Sequence, residues 1–87
     1  SPKEHAHKTI KMMGGSENIL KEINEAFKRK EYQWCLELCD LLIDGEEEIK
    51  EAYAQKSKAL IEISKLETSA NGRHYYIAYA HEIKNIY

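Results

Sequence analysis

The single proline of this 87-residue chain stands at position 2, so no later residue forbids a helix. Proline costs about 3 kcal/mol in a helix interior and glycine about 1 kcal/mol, both relative to alanine. In a chain without internal proline, glycine becomes the punctuation. The glycines fall at 14, 15, 45 and 72. The stretches between them carry apolar residues at helical spacing, and no window alternates as a strand would. The spacing therefore predicts an all-α chain.

Residues 3–13, KEHAHKTIKMM, read as a short lead-in helix. Gly14 suits the left-handed position just past a helix end. Ser16 suits the N-cap of the next helix, with Glu17 in its first turn. Ile19, Ile23, Ala26 and Phe27 then form one stripe at i, i+4, i+7, i+8. Lys28 to Glu31 is a polar turn, and Trp34, Cys35, Leu38, Leu41 and Leu42 repeat the pattern. Asp44-Gly45 closes that helix. Glu46, Glu47 and Glu48 open a third one, where negative charge meets the positive end of the helix dipole. Its stripe runs through Ile49, Ala52, Tyr53, Ala59, Leu60, Ile63 and Leu66, interrupted at Lys56, whose stem can lie along apolar surface. Thr68–Gly72, TSANG, reads as a loop. The last segment places Tyr76, Tyr79, Ala80, Ile83 and Tyr87 on one face. The architecture expected is one domain, residues 1–87: an antiparallel helical bundle with a core of Ile23, Phe27, Trp34, Leu38 and Leu60.

The chemistry legible in the chain is sparse. A net charge of -2 and a pI near 6.1 provide no basic field for nucleic acid. No apolar run approaches the roughly 20 residues that span a bilayer, so no membrane insertion is expected. The first ten residues have no apolar stretch of a signal peptide. The opening Ser-Pro in place of Met is the start expected of a piece of a longer protein. MMGGSENIL has the glycines of a phosphate loop but neither a preceding strand nor Gly-Lys-Ser/Thr, so it reads as a helix joint. His5 and His7 diverge if helical, and His74 and His81 lie two turns apart. Cys35 and Cys39 at i, i+4 lack further ligands for zinc and are poorly placed for a disulfide. They read as buried free thiols, which favour a reducing, cytoplasmic setting. No catalytic, cofactor-binding or metal-ligating residue is assigned.

Residues 24–66 resemble a tetratricopeptide-like unit, with paired helices and small residues at their crossings. A closer likeness spans residues 6–83. MMGGSENIL, AFKRKEYQWCLELCDLLI and RHYYIAYAHEI resemble the dimerisation domain of alkyl sulfatases of the metallo-β-lactamase superfamily. Met13, Gly14 and Gly15 match that family's M-G-G. Ala26, Phe27, Tyr32 and Trp34 match A-x-x-A-F-x-x-G-D-Y-R-W, with Lys30-Glu31 in place of Gly-Asp. Arg73, Tyr76, Ala80 and Glu82 match R-N-x-Y-L-x-G-A-x-E-L, with Ile77 and Ile83 for leucines. Tyr79 stands in place of a glycine, where a ring is expected to disturb close helix approach.

The resemblance implies a homodimerising module in a larger zinc hydrolase. The parent's separate catalytic domain would hold two zinc ions and cleave a sulfate ester. Its H-x-H-x-D-H run is absent here, and no cofactor is expected in this piece. The expected partners are a second copy and that catalytic domain. Arg73, Tyr75, Tyr76, Tyr79 and Ile83 are the interface candidates, because tyrosine pairs apolar area with a hydroxyl that tolerates water. For Tyr76 and Ile83 the competing reading is closure of the chain's own core. Ile10, Met12, Met13, Ile86 and Tyr87 extend the candidate surface. A free-standing tetratricopeptide-like adaptor that binds a peptide is the alternative.

Overall fold

The computed structural model describes residues 1–86, with side chains through Asn85. Five helices follow one another: α1 (Pro2–Met12), α2 (Ser16–Lys28), α3 (Tyr32–Asp44), α4 (Ile49–Leu66) and α5 (Ala70–Ile86). The all-α expectation holds. Links of three or four residues fold each helix back on the one before it.

The joints have local causes. Pro2 occupies the first turn of α1, where its missing N–H costs nothing, and the Ser1 hydroxyl accepts from the Glu4 amide at 3.3 Å. Gly14 and Gly15 both have positive φ, 97° and 95°, and they end α1. With both residues at positive φ, α2 starts one position earlier than the spacing predicts. Gly15 therefore holds the N-cap of α2 without a side-chain bond, and Ser16 is already helical.

The α2–α3 turn is a Schellman motif. The Lys30 amide donates to the Phe27 carbonyl at 3.0 Å and the Glu31 amide to the Ala26 carbonyl at 2.9 Å. Its left-handed residue is Lys30, φ 63°. The α3–α4 turn repeats the motif, with Glu46 at φ 53° and Glu48 also left-handed at 50°. Glu46–Glu48 consequently form the turn and do not open α4, which starts at Ile49. Gly45 is not the left-handed residue: its φ is -80°. A Cβ there would lie 2.7 Å from Ile10 Cδ1, so this glycine lets α1 lie against the end of α3. The TSANG loop is shorter than its composition implies. The Ser69 hydroxyl accepts from the Gly72 amide at 2.8 Å, and α5 begins at Ala70.

The main core joins four helices through Ile10, Ile19, Ile23, Leu38, Cys39, Leu42 and Ala52. A second layer sets Cys35 between the small residues Ala26 and Ala59. A third, at the α4–α5 seam, holds Leu60, Ala80 and Ile83. Of the expected core, Ile23, Leu38 and Leu60 are buried, and Phe27 is half-buried with its ring edge-on to Tyr32 at 5.3 Å. Trp34 is the exception, 38% exposed. The inward face of α3 is Cys35, Leu38, Cys39 and Leu42 at i, i+3, i+4, i+7. Trp34 sits one position, about 100°, off it.

Candidate interface surface

α5 meets the rest of the molecule along a narrow line. Ala80 is fully buried there, and the Ser57 hydroxyl of α4 donates to its carbonyl at 3.0 Å. Ile83 is 2% exposed and Tyr76 packs half-buried beside it. The structure thus takes Ile83 into the chain's own core, which removes it from the surface open to a partner. Arg73, Tyr75 and Tyr79 remain on the outside.

Tyr75 is 65% exposed, and its ring lies 5.8 Å from Tyr76 and 6.3 Å from Tyr79, centroid to centroid. Tyr79 does not wedge the helices apart, because the crossing residue is its neighbour Ala80. Its ring instead lies 5.4 Å from Lys56 Nζ, a cation–π contact. The Lys56 stem is largely covered, and its ammonium donates to Asp40 Oδ1 at 2.7 Å. Burial pulls the ammonium's pKa down, but the bond to Asp40 outweighs it and the net shift is upward. Ile77, exposed on α5, is an apolar residue that the interface candidates left out. Met12 and Leu66 are also exposed, whereas Ile10, grouped with Met12 at the sequence level, is buried. Tyr87 and the Ile86 side chain lie outside the described residues.

A second exposed aromatic marks the α2–α3 corner. The Trp34 indole donates to Glu22 Oε2 at 2.9 Å, and Arg29 donates to Glu22 at 2.8 Å and to Glu31 at 3.0 Å. The indole bond, then the guanidinium, hold the Glu22 carboxyl below the usual carboxylate range. Its bonds to Glu31 and Glu22 hold the Arg29 proton more firmly than usual. This network ties the half-covered ring of α3 to α2.

Several of the polar residues weighed for chemistry make structural contacts. His7 meets Glu47 at 2.7 Å and Lys3 pairs with Glu46, so both pin α1 to the α3–α4 turn. Cys35 and Cys39 are free and buried. Burial pushes the Cys35 thiol up, and Cys39 up to about 12, so neither is a ready thiolate. Among the described residues, no group of three or more His, Cys, Asp and Glu could hold a metal ion. A two-zinc centre does not fit on these residues. No helix among them is long and apolar enough to cross a membrane.

Residues 1–86 match the family described as alkyl sulfatase dimerisation. The chain belongs to that family. A linear primary-alkylsulfatase from Pseudomonas sp is 25% identical over 84 residues, which are 97% of this chain and 12% of that protein. No solved structure matches the chain. In this dimerisation-family chain the motif residues occupy joints and seams. Gly14 and Gly15 turn α1 into α2, Ala26 packs against Cys35, Phe27 and Tyr32 meet edge-on at the second turn, and Ala80 makes the α5 crossing.

Proposed function

We propose that this chain is the helical piece through which two subunits of an alkyl sulfatase-like hydrolase pair, and that it has no catalytic centre of its own. The observation that carries the reading is the family match over residues 1–86, together with its small share of a much longer sulfatase. The zinc chemistry belongs to a separate catalytic domain of the parent, whose two ions would activate water and polarise the sulfate ester. The outer face of α5 supplies the pairing surface. Tyr75 and Tyr79, one turn apart, are apolar-bodied and exposed on a helix held by a narrow seam. In a two-fold assembly one such patch serves both subunits. Arg73, at the start of α5, is the contact toward the catalytic domain.

Analytical ultracentrifugation of the chain tests this. A dimer at micromolar concentration is expected, and Y75D/Y79D should convert it to a monomer of unchanged helicity. A wild-type chain that stays monomeric at high micromolar concentration refutes the role for α5.

A further inference from the structure

The TSANG stretch that leads from α4 into α5 holds an asparagine followed by a glycine. An asparagine can cyclise onto its own backbone: the amide nitrogen of the next residue attacks the side-chain carbonyl carbon. Glycine in the next position favours this most, because no side chain shields that nitrogen. The chain has asparagines at 18, 24, 71 and 85, and Asn71–Gly72 is its one Asn-Gly pair. The others are followed by Ile19, Glu25 and Ile86.

The structure separates these sites further. The Ile19 amide after Asn18 donates to the Gly15 carbonyl at 3.2 Å, and the Asn18 side chain donates to the Met13 carbonyl at 2.7 Å. Asn24 and Glu25 lie inside α2, where each amide is a rung of the helix ladder. Gly72 is the third residue of α5, so its N–H has no carbonyl partner within the helix. It donates to the Ser69 hydroxyl at 2.8 Å, a bond that one side-chain rotation releases. Asn71 is exposed, and no residue from 69 to 75 is buried. The first fully enclosed anchor of α5 is Ala80. Segments held so lightly open at low free energy. Asp44–Gly45, a pair that cyclises by the same route more slowly, is the opposite case: Gly45 is buried and its amide donates to the Leu41 carbonyl at 3.0 Å.

We propose that Asn71–Gly72 is a self-modification site of this chain, gated by the Ser69 hydroxyl. A helical ψ of about -42° holds the Gly72 nitrogen away from the Asn71 side-chain carbon, so the first turn of α5 must open before the ring can close. On opening, the Gly72 nitrogen gives up its proton and bonds to Asn71 Cγ. The Cγ–Nδ2 bond breaks, and the nitrogen leaves as ammonia with that proton. Water then opens the succinimide ring at either carbonyl, which leaves an aspartyl or an isoaspartyl link. Nothing is oxidised or reduced. Either product adds one negative charge to a turn that already holds Glu67. The isoaspartyl link also routes the main chain through Cβ, which a helical turn does not accommodate, just ahead of Arg73 and Tyr75. The outer face of α5 thereby loses its ordered start as the protein ages.

Incubation of the chain in mildly alkaline heavy-oxygen water, followed by peptide mapping in a mass spectrometer, provides the test. Heavy oxygen should enter at position 71 before it enters at any other asparagine. The same chain in concentrated urea gives the ungated rate, and the folded chain should react at least about tenfold more slowly. S69A should speed the folded-state reaction about fivefold, because losing a helix cap raises the open population by that factor. S69T keeps the hydroxyl and should stay within about twofold of the wild-type chain. N71Q should abolish the reaction. Equal rates in S69A and wild type would overturn the proposal. So would equal rates in the folded chain and in urea, an S69T rate that matches S69A, or earlier conversion at Asn18, Asn24 or Asn85.

Discussion

α3 and α5 are built from the same amphipathic code and end up in different situations. α3 is contacted by α1, α2 and α4, and its buried side is Cys35, Leu38, Cys39 and Leu42. α5 is contacted by α4, and among its described side chains only Ala80 and Ile83 are buried. The first helix is enclosed. The second is docked along one line, with a small residue at the crossing and tyrosines outside. A helix with one neighbour among the described elements cannot bury an aromatic stripe, so the apolar area of its rings stays available for another surface.

That contrast can be broken by matched truncations. Leu38→Ala should cost about 3–5 kcal/mol, since the surrounding core is packed from four helices and cannot collapse into the space. This is a large share of the roughly 5–15 kcal/mol that holds a domain together. Ile83→Ala should cost less, about 2 kcal/mol, because the seam can close by a shift of α5. Urea unfolding reads both. Equal losses would mean that α5 is as firmly enclosed as α3, and the distinction would fail. Hydrogen exchange sharpens it: amides of α5 should open at a lower free energy than those of α3 in the wild-type chain.

Trp34→Ala should cost about 1–2 kcal/mol, the half-covered ring and its bond to Glu22, against the 3–5 kcal/mol of a buried tryptophan. A loss in the upper range would place the ring in the core after all. Lys30→Gly should stabilise the chain by about 0.5–1 kcal/mol, because Lys30 holds a left-handed conformation that glycine adopts without strain. A destabilised variant would show that the lysine side chain contributes more than its backbone costs.

The smallest effect is a titration at the α2–α3 corner. The Glu22 carboxyl is held low in the folded chain. Its bonds to Trp34 and Arg29 therefore stabilise the corner above the carboxyl's unfolded pKa and are lost as pH falls through the folded value. Trp34 fluorescence should change with a midpoint below the ordinary carboxylate range, and E22Q should abolish that step. A midpoint at or above the ordinary value would remove Glu22 as the partner of the indole.

The helices, their order and most of their inward stripes were legible because they depend on residues three and four apart. The absence of internal proline and the glycines at 14, 15 and 45 marked the joints for the same local reason. The backbone sign at each joint was less legible. Lys30, Glu46 and Glu48 adopt conformations that their residue types disfavour, and the Schellman bonds that hold them there form only once the helix end exists. The interface candidates divided along the same boundary. Tyr75 and Tyr79 stayed outside, and Ile83, two turns beyond Tyr76 on the same stripe, was taken into the seam.

Residue spacing alone therefore established five amphipathic helices, since they follow from which residue types stand at which interval. Only the packed structure decided which face of each helix was covered. Trp34 and Cys35 are adjacent, and the cysteine is inside because it is the one that meets Ala26 and Ala59, from two other helices. Tyr79 and Ala80 are adjacent, and the alanine is inside because Ser57 of α4 comes close enough to bond its carbonyl. Burial is set by what arrives from elsewhere in the chain, and helical periodicity holds no record of that neighbour.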